Sequence, residues 1–179
     1  MGRINLKNPQ ETTGSHKKTF EQIEKAFGKV PNMFLAIGNS SAALESMWGA
    51  FGALSKGKLG AKLGEKIAVY VADLNRCEYC LAAHTVLGGK AGATPTEIKA
   101  AQAGEASDAR TQAALTFAGR LVQTRGQISD ADVASVKSAG FNDEEVAEIL
   151  AHVALNVFTN YTNNAFGVPV DFPQVPLRN

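Results

Sequence analysis

The 179-residue chain is poor in cysteine and carries almost no net charge, and both shortages restrict what it can be. Two cysteines are too few for the disulfide framework of a small secreted protein. The 18 Lys and Arg residues nearly balance the 17 Asp and Glu residues, which argues against the basic surface of a nucleic-acid-binding protein. No apolar run approaches the ~20 residues that span a bilayer, and no signal peptide or myristoylation motif is recognisable. We therefore expect a cytoplasmic protein that binds neither nucleic acid nor membrane.

Strand-like alternation is also missing, because apolar residues recur at helical spacing along nearly the whole chain. Capping motifs indicate where several helices begin. The run 94–97 combines an N-cap threonine, a proline and a capping-box glutamate, and Ser129 and Asn142 precede acidic first turns. Ser15 is expected to cap the first long helix and Gly28 to end it. The pattern predicts an all-α fold of roughly eight to ten helices.

The length and composition favour a single domain over residues 1–179 with one compact core. Changes in composition along the chain predict four regions within it. These are an extended N-terminal arm (1–14), N-terminal helices (15–59), a redox core with the C-terminal helices (60–166), and an extended proline-rich tail (167–179).

The two cysteines form one C-x-x-C pair, Cys77 and Cys80, and His84 follows one helical turn later. On a helix these three residues lie within about 60° of one another, so their side chains share a face. Cys77 falls in the expected first turn, where the helix dipole favours a thiolate. Glu65, on the preceding helix, can fold back across this face and complete a proton relay with the imidazole and the two thiols.

This set of groups predicts thiol redox chemistry that needs no bound cofactor and no metal. A cysteine thiolate attacks a peroxide, and the second cysteine converts the resulting sulfenic acid to a disulfide. Two alternatives remain open from the residues alone. Cys77 and Cys80 could be inert core thiols, or they could bind zinc together with His84 and Glu65 in a non-catalytic or redox-sensing module. Tyr79, between the cysteines, is interpreted as a packing residue or pocket wall.

A weak internal repeat is also visible in the sequence. Glu65 precedes Cys77 by twelve residues, and Glu148 precedes Asn160 by the same number. Asn163 then corresponds to Cys80. This spacing hints at a duplicated helical hairpin.

The stretch EKIAVYVADLNRCEYCLAAH, residues 65–84, resembles the carboxymuconolactone decarboxylase superfamily and, within it, the alkyl hydroperoxidase D-like branch. The flanking stretches VPNMF (30–34) and NVFTNYTNNAFGVPVDFP (156–173) resemble the peroxidase-related proteins of that branch. The resemblance implies an all-α fold built around a helical hairpin and assembly into homotrimers or homohexamers. It also implies peroxidase or disulfide-reductase activity through the cysteine pair.

In that branch the second cysteine, here Cys80, is the peroxidatic thiol and the first, Cys77, resolves it. The resemblance thus opposes the simple dipole argument, and we assign attack to Cys80, with His84 and Glu65 moving the proton. The chain departs from the best-studied type at Tyr79, where that type carries a histidine.

The resulting prediction is a thiol peroxidase that reduces alkyl hydroperoxides or hydrogen peroxide. Its electrons are expected to come from a lipoyl-bearing or thioredoxin-type dithiol protein. A disulfide reductase that serves a partner peroxiredoxin is the alternative within the enzymes. The decarboxylase branch proper lacks the cysteine pair, which argues against lactone decarboxylation.

Overall fold

The structure is a computed structural model that describes residues 2–179, and within them it is all-α, as predicted. A short 3-10 helix, Pro9–Glu11, precedes nine α-helices. The α-helices are α1 (Gly14–Phe27), α2 (Asn32–Ile37), α3 (Ser41–Leu54), α4 (Ala61–Leu74), α5 (Glu78–Lys90), α6 (Pro95–Gln102), α7 (Ala109–Gln123), α8 (Asp130–Ser138) and α9 (Asp143–Phe166). None of the helices in this range is long and apolar enough to cross a membrane.

The helix starts that rest on capping motifs are confirmed. Thr94, Ser129 and Asn142 each form a capping box with the acidic side chain three residues later. The predicted start of α1 is wrong, because the helix begins at Gly14, with Thr13 rather than Ser15 at the N-cap. No side chain caps this end, so the sequence offers no local signal for it.

Helix α4 forms the centre of the molecule and packs against α5, α6, α7 and α9. Its residues Ile67, Val69 and Val71 are fully buried. Burial of each such side chain contributes about 1.5–3 kcal/mol to folding. Both α5 and α9 therefore rest on a rigid support, and the groups they carry hold fixed positions relative to α4.

The hint of a duplicated helical hairpin is wrong. Glu65 and Cys80 lie on two helices, α4 and α5, which a tight turn separates. Glu148 and Asn163 instead lie on one uninterrupted helix, α9. The turn between α4 and α5 contains Arg76 in a left-handed conformation (φ 55°), which breaks the first segment.

Residues 168–178 follow α9 without helix or strand, and we call them the C-terminal strap. At its far end, Arg178 donates from its backbone N and its Nε to the buried Asp73 at 3.0 and 3.1 Å. Gln102 donates to both Asp73 (2.8 Å) and the carbonyl of Pro176 (2.9 Å). At its near end, the Asn32 amide donates to the carbonyl of Pro169 at 3.0 Å. The strap is thus fixed to the helices at both ends.

Candidate active site

The cysteine pair lies at the start of α5, immediately after the turn from α4. Cys77 is the N-cap residue, with an extended backbone, and its sulfur accepts a hydrogen bond from the Cys80 backbone N–H at 3.3 Å. The turn is closed by the Cys77 N–H, which donates to the carbonyl of Ala72 at 2.9 Å. Both thiols are free and buried, with exposures of 0% for Cys77 and 2% for Cys80.

The dipole argument for an acidic Cys77 is wrong. The Cys80 backbone N–H that donates to Cys77 at the N-cap does favour the thiolate, but the Cys77 thiol also shares a hydrogen bond with the Cys80 sulfur. This hydrogen bond, followed by burial, raises the pKa of Cys77 far above its ordinary value. Cys77 therefore remains a thiol at neutral pH.

Cys80 is the acidic member of the pair. Burial opposes its ionisation, but the hydrogen bond from the Cys77 thiol, the charge of His84 and the Asn163 amide outweigh burial and lower the pKa of Cys80 to about 7. A substantial fraction of Cys80 is therefore a thiolate at neutral pH, and the thiolate is the nucleophilic form of cysteine.

His84 and Glu65 form an ion pair beside the cysteines. His84 Nδ1 lies 2.8 Å from Glu65 Oε2, and the imidazole is 7% exposed. Burial would lower the pKa of His84, but the charge and hydrogen bond of Glu65 outweigh it, and the charge of Cys80 adds to them, so the pKa is raised. Because Nδ1 faces Glu65, Nε2 is the nitrogen left to exchange a proton with a bound substrate. The structure thus brings together all four residues singled out in the sequence.

Helix α9 contributes a polar face to the cysteine site that sequence reasoning missed. The Asn163 amide donates to the Cys80 sulfur at 3.1 Å, and Thr159 Oγ1 lies 4.0 Å from the same sulfur. Asn160, which accepts a hydrogen bond from Asn75 at 2.9 Å, also helps to lower the pKa of Cys80. Three buried polar side chains at one face of a packed helix are unusual. The TNYTN run of polar residues was the available signal.

Replacing Asn163 with alanine is expected to raise the pKa of Cys80, because the thiolate loses a hydrogen-bond donor. A hydrogen bond to a charged acceptor contributes about 1.5 kcal/mol, which is about tenfold in the thiolate fraction on the acid side of the pKa. The rate of Cys80 alkylation against pH measures this fraction. Asn164→Ala is the matched control, since the neighbouring Asn164 amide donates to the Asn75 carbonyl instead. Superimposable profiles for Asn163→Ala and wild type would exclude the assigned hydrogen bond.

Tyr79 forms part of the cavity wall and is bound to the C-terminal strap. Its hydroxyl donates to Asp171 Oδ1 at 2.6 Å and accepts from the Met33 backbone N–H at 3.2 Å. Burial and the Asp171 carboxylate raise the pKa of Tyr79 well above its ordinary value. Tyr79 is therefore a neutral hydrogen-bonding residue and does not exchange protons at neutral pH.

A small cavity of about 40 Å³ lies beside Cys80 and His84. Its other lining residues are mainly apolar: Phe27, Pro31, Met33, Phe34, Phe51, Tyr79, Ala83, Leu87, Thr159 and Phe172. A second cavity of about 150 Å³ is lined by the other side of the ion pair, including Glu65, His84, His152 and Asn156. His84 lines both cavities, so it connects the sulfur side with the carboxylate side.

No metal-binding arrangement is found among residues 2–179: no three His, Cys, Asp or Glu side chains are grouped to hold an ion. The zinc alternative requires four such ligands from Cys77, Cys80, His84 and Glu65. The geometry gives that alternative no support.

The carboxymuconolactone decarboxylase family model matches residues 42–124. The matched segment runs from α3 to α7 and contains Glu65, Cys77, Cys80 and His84. Among curated proteins there is no match.

Several crystal structures share the whole fold. An uncharacterized peroxidase-related protein from Silicibacter sp. is 25% identical over 94% of this chain and 91% of its own, with a TM-score of 0.81. A second such protein, with an alkylhydroperoxidase core, from Ralstonia eutropha is 22% identical over 95% and 92%, with a TM-score of 0.86. A debrominase crystallised with 2,3,4-tribromopyrrole is 20% identical over 87% and 84%, with a TM-score of 0.75. Residues 42–124 thus match the carboxymuconolactone decarboxylase family, and the chain as a whole has the fold of the peroxidase-related proteins with an alkylhydroperoxidase core.

Proposed function

We propose that the protein is a thiol peroxidase that reduces hydroperoxides through a dithiol–disulfide cycle of Cys80 and Cys77. The environment of the Cys80 sulfur is the observation that carries the proposal. This sulfur is buried, has a pKa of about 7, and shares a cavity with His84, which forms an ion pair with Glu65. A second thiol is within hydrogen-bonding reach of it. A low pKa supplies the nucleophilic thiolate, a proton donor beside it protonates the leaving oxygen, and the second thiol converts the sulfenic acid to a disulfide.

In the first step the Cys80 thiolate attacks the terminal oxygen of the hydroperoxide. The new S–O bond takes its electron pair from sulfur, the O–O bond breaks, and an alkoxide or hydroxide leaves. His84 donates its proton to that oxygen, so an alcohol or water is released. Glu65 holds the imidazole in place and keeps it charged before the transfer.

In the second step the Cys77 thiol attacks the sulfur of the Cys80 sulfenic acid. The S–S bond forms, the S–O bond breaks, and the departing hydroxide takes the Cys77 proton to become water. Asn163 Oδ1 is a buried acceptor with no partner among residues 2–179. It can accept a hydrogen bond from the sulfenic O–H and so hold the intermediate until Cys77 reacts. The intermediate would then satisfy a buried acceptor that is otherwise destabilising.

A protein dithiol, of the lipoyl or thioredoxin type, completes the cycle. Its two thiols reopen the disulfide by two exchange steps and leave as the donor's own disulfide, so one hydroperoxide consumes one dithiol. Dithiol donors of this type are found in the cytoplasm, where cysteines are kept reduced, and we expect the protein to act there. We also expect it to form a homo-oligomer. The larger cavity beside Glu65 and His152 has room for water that returns a proton to His84.

One equivalent of hydrogen peroxide added to the reduced protein is expected to produce an intramolecular Cys77–Cys80 disulfide. Alkylation followed by mass spectrometry measures it: two alkylated cysteines before oxidation, none after it, and two again after reduction. Cumene hydroperoxide is tested alongside as an alkyl hydroperoxide. Tribromopyrrole is tested as well, because a debrominase crystallised with it shares the fold. Two freely alkylated cysteines after peroxide treatment would contradict the proposal.

The same preparation separates the peroxidase from its alternatives. A disulfide reductase would turn over peroxide only when a partner peroxiredoxin is added, whereas the proposed peroxidase needs only a dithiol donor. A metal-binding module would contain stoichiometric zinc that blocks alkylation of both cysteines until a chelator is added.

A further inference from the structure

The small cavity beside Cys80 is closed on one side by the C-terminal strap. Its volume of about 40 Å³ accommodates a few water-sized molecules, and therefore hydrogen peroxide, but not an aromatic hydroperoxide. Four of its lining side chains are half-buried and separate it from solvent: Phe27, Phe51, Leu87 and Phe172. Phe27, Phe51 and Leu87 lie on packed helices. Phe172 lies on the strap, so its movement breaks no helix.

Phe172 is held in the cavity wall by the residue that precedes it. Asp171 accepts hydrogen bonds from the Tyr79 hydroxyl (2.6 Å) and from Lys29 Nζ (2.8 Å), while Lys29 also donates to the Asp171 carbonyl (2.9 Å). The Asn32 backbone N–H lies 3.4 Å from the same carboxylate. We call Asp171 and its partners Tyr79, Lys29 and Asn32 the Asp171 latch.

The aromatic ring of Phe172 is itself fixed by two of these partners. It packs edge-on against Tyr79 with ring centroids 5.7 Å apart, and the Lys29 ammonium lies 5.4 Å from its centroid. Tyr79 belongs to the C-x-x-C motif, so the motif that carries the reactive sulfur also holds the wall that faces it. The latch thus ties the size of the cavity directly to the reacting segment.

We infer that Phe172 is the specificity-determining residue of this site and that the Asp171 latch keeps it in place. The inference rests on the proposed peroxidase function. With the latch closed, only hydrogen peroxide and the smallest hydroperoxides reach Cys80. Bulky hydroperoxides, like the protein dithiol that must reach a sulfur only 2% exposed, react after the latch opens and the strap moves aside.

The test compares the rates at which hydrogen peroxide and cumene hydroperoxide oxidise the reduced protein in a single turnover. Phe172→Ala is expected to raise the ratio of the cumene rate to the hydrogen peroxide rate about tenfold, since the wall that excludes the ring is removed. Asp171→Asn and Tyr79→Phe weaken the latch and move the ratio in the same direction by less. Val175→Ala is the matched control, because Val175 lies on the strap but does not line this cavity.

A second readout does not depend on peroxide. The ratio of Cys80 alkylation by a bulky aromatic maleimide to that by iodoacetamide is expected to rise in Phe172→Ala as well. If the variants have wild-type circular dichroism and neither the peroxide ratio nor the alkylation ratio changes, Phe172 does not determine specificity. The peroxidase proposal is not affected by that result. A raised alkylation ratio without oxidation by any peroxide overturns the peroxidase proposal but supports the strap as the gate. If Phe172→Ala does not fold, Phe172→Leu and Asp171→Asn decide the matter.

Discussion

Replacing Cys80 with serine is expected to abolish oxidation by hydroperoxide, whereas replacing Cys77 with serine is expected to preserve a single oxidation. The asymmetry follows from the two pKa shifts. Cys80 is the thiol that ionises near neutral pH, with a pKa of about 7, while the pKa of Cys77 is raised far above that range. Only a thiolate attacks peroxide at a useful rate. Cys77→Ser retains the attacking sulfur and, in the serine hydroxyl, a hydrogen-bond donor in place of the Cys77 thiol that lowers the pKa of Cys80. It loses the thiol that resolves the sulfenic acid.

Stopped-flow mixing of each reduced variant with hydrogen peroxide measures the first step. Trapping with a sulfenic-acid reagent identifies the product. Cys77→Ser should form the trapped sulfenic acid at Cys80, with one peroxide consumed per subunit and no turnover afterwards. Cys80→Ser should consume none, since burial still raises the pKa of Cys77 after its contact with the Cys80 sulfur is lost. Trapped sulfenic acid at Cys77 in Cys80→Ser would reverse the assignment, and equal rates in the two variants would remove it.

Features that depend on neighbouring residues were accessible from the sequence. The capping boxes at Thr94, Ser129 and Asn142 are each complete within four residues, and all three helix starts are confirmed. The helical period likewise places Cys80 and His84 on one face of α5. One or two turns of helix dictate these features before any tertiary contact forms, and Glu65 needs only the short turn from α4 to reach them.

Features that depend on distant residues were not accessible. Asn163 reaches Cys80 across 83 positions of sequence. Asp171 reaches Tyr79 across 92. Neither pairing follows from periodicity, because the packing of α9 on α4 and the path of an irregular segment determine both. The expected acidity of Cys77 was wrong for a related reason. The side-chain contact of Cys77 with Cys80 and its complete burial, which are products of packing, raise its pKa.

Replacing Glu65 with glutamine is expected to slow peroxide reduction. It is also expected to narrow the pH range in which the reaction is fast, at both the acid and the alkaline end. The Glu65 carboxylate is the largest influence that raises the pKa of His84 against the opposing effect of burial. Without this charge, burial prevails, the pKa of His84 falls, and the imidazole is neutral at lower pH. A neutral imidazole no longer stabilises the Cys80 thiolate, so the pKa of Cys80 rises.

The reactive state requires a thiolate at Cys80 and an imidazolium at His84 at the same time. The rate should rise with pH as Cys80 ionises near pH 7 and fall as His84, whose pKa is raised by Glu65, loses its proton. The two limbs report the coupled pair rather than either residue alone. In Glu65→Gln the acid limb moves to higher pH and the alkaline limb to lower pH, so the maximum rate falls.

Replacing His84 with glutamine removes the proton donor itself. The expected loss in the rate of peroxide reduction is about 100-fold or more.

Single-turnover rates across the pH range, measured with hydrogen peroxide, give both limbs for each variant. Glu78→Gln is the matched control: it removes the same charge from the C-x-x-C motif, but Glu78 is exposed and its side chain does not contact His84. Its profile should match that of the wild type. A Glu65→Gln profile that is lower but keeps both limbs in place would assign Glu65 a purely structural role. A profile that narrows as described requires its charge, because only a change in the His84 pKa moves the two limbs in opposite directions.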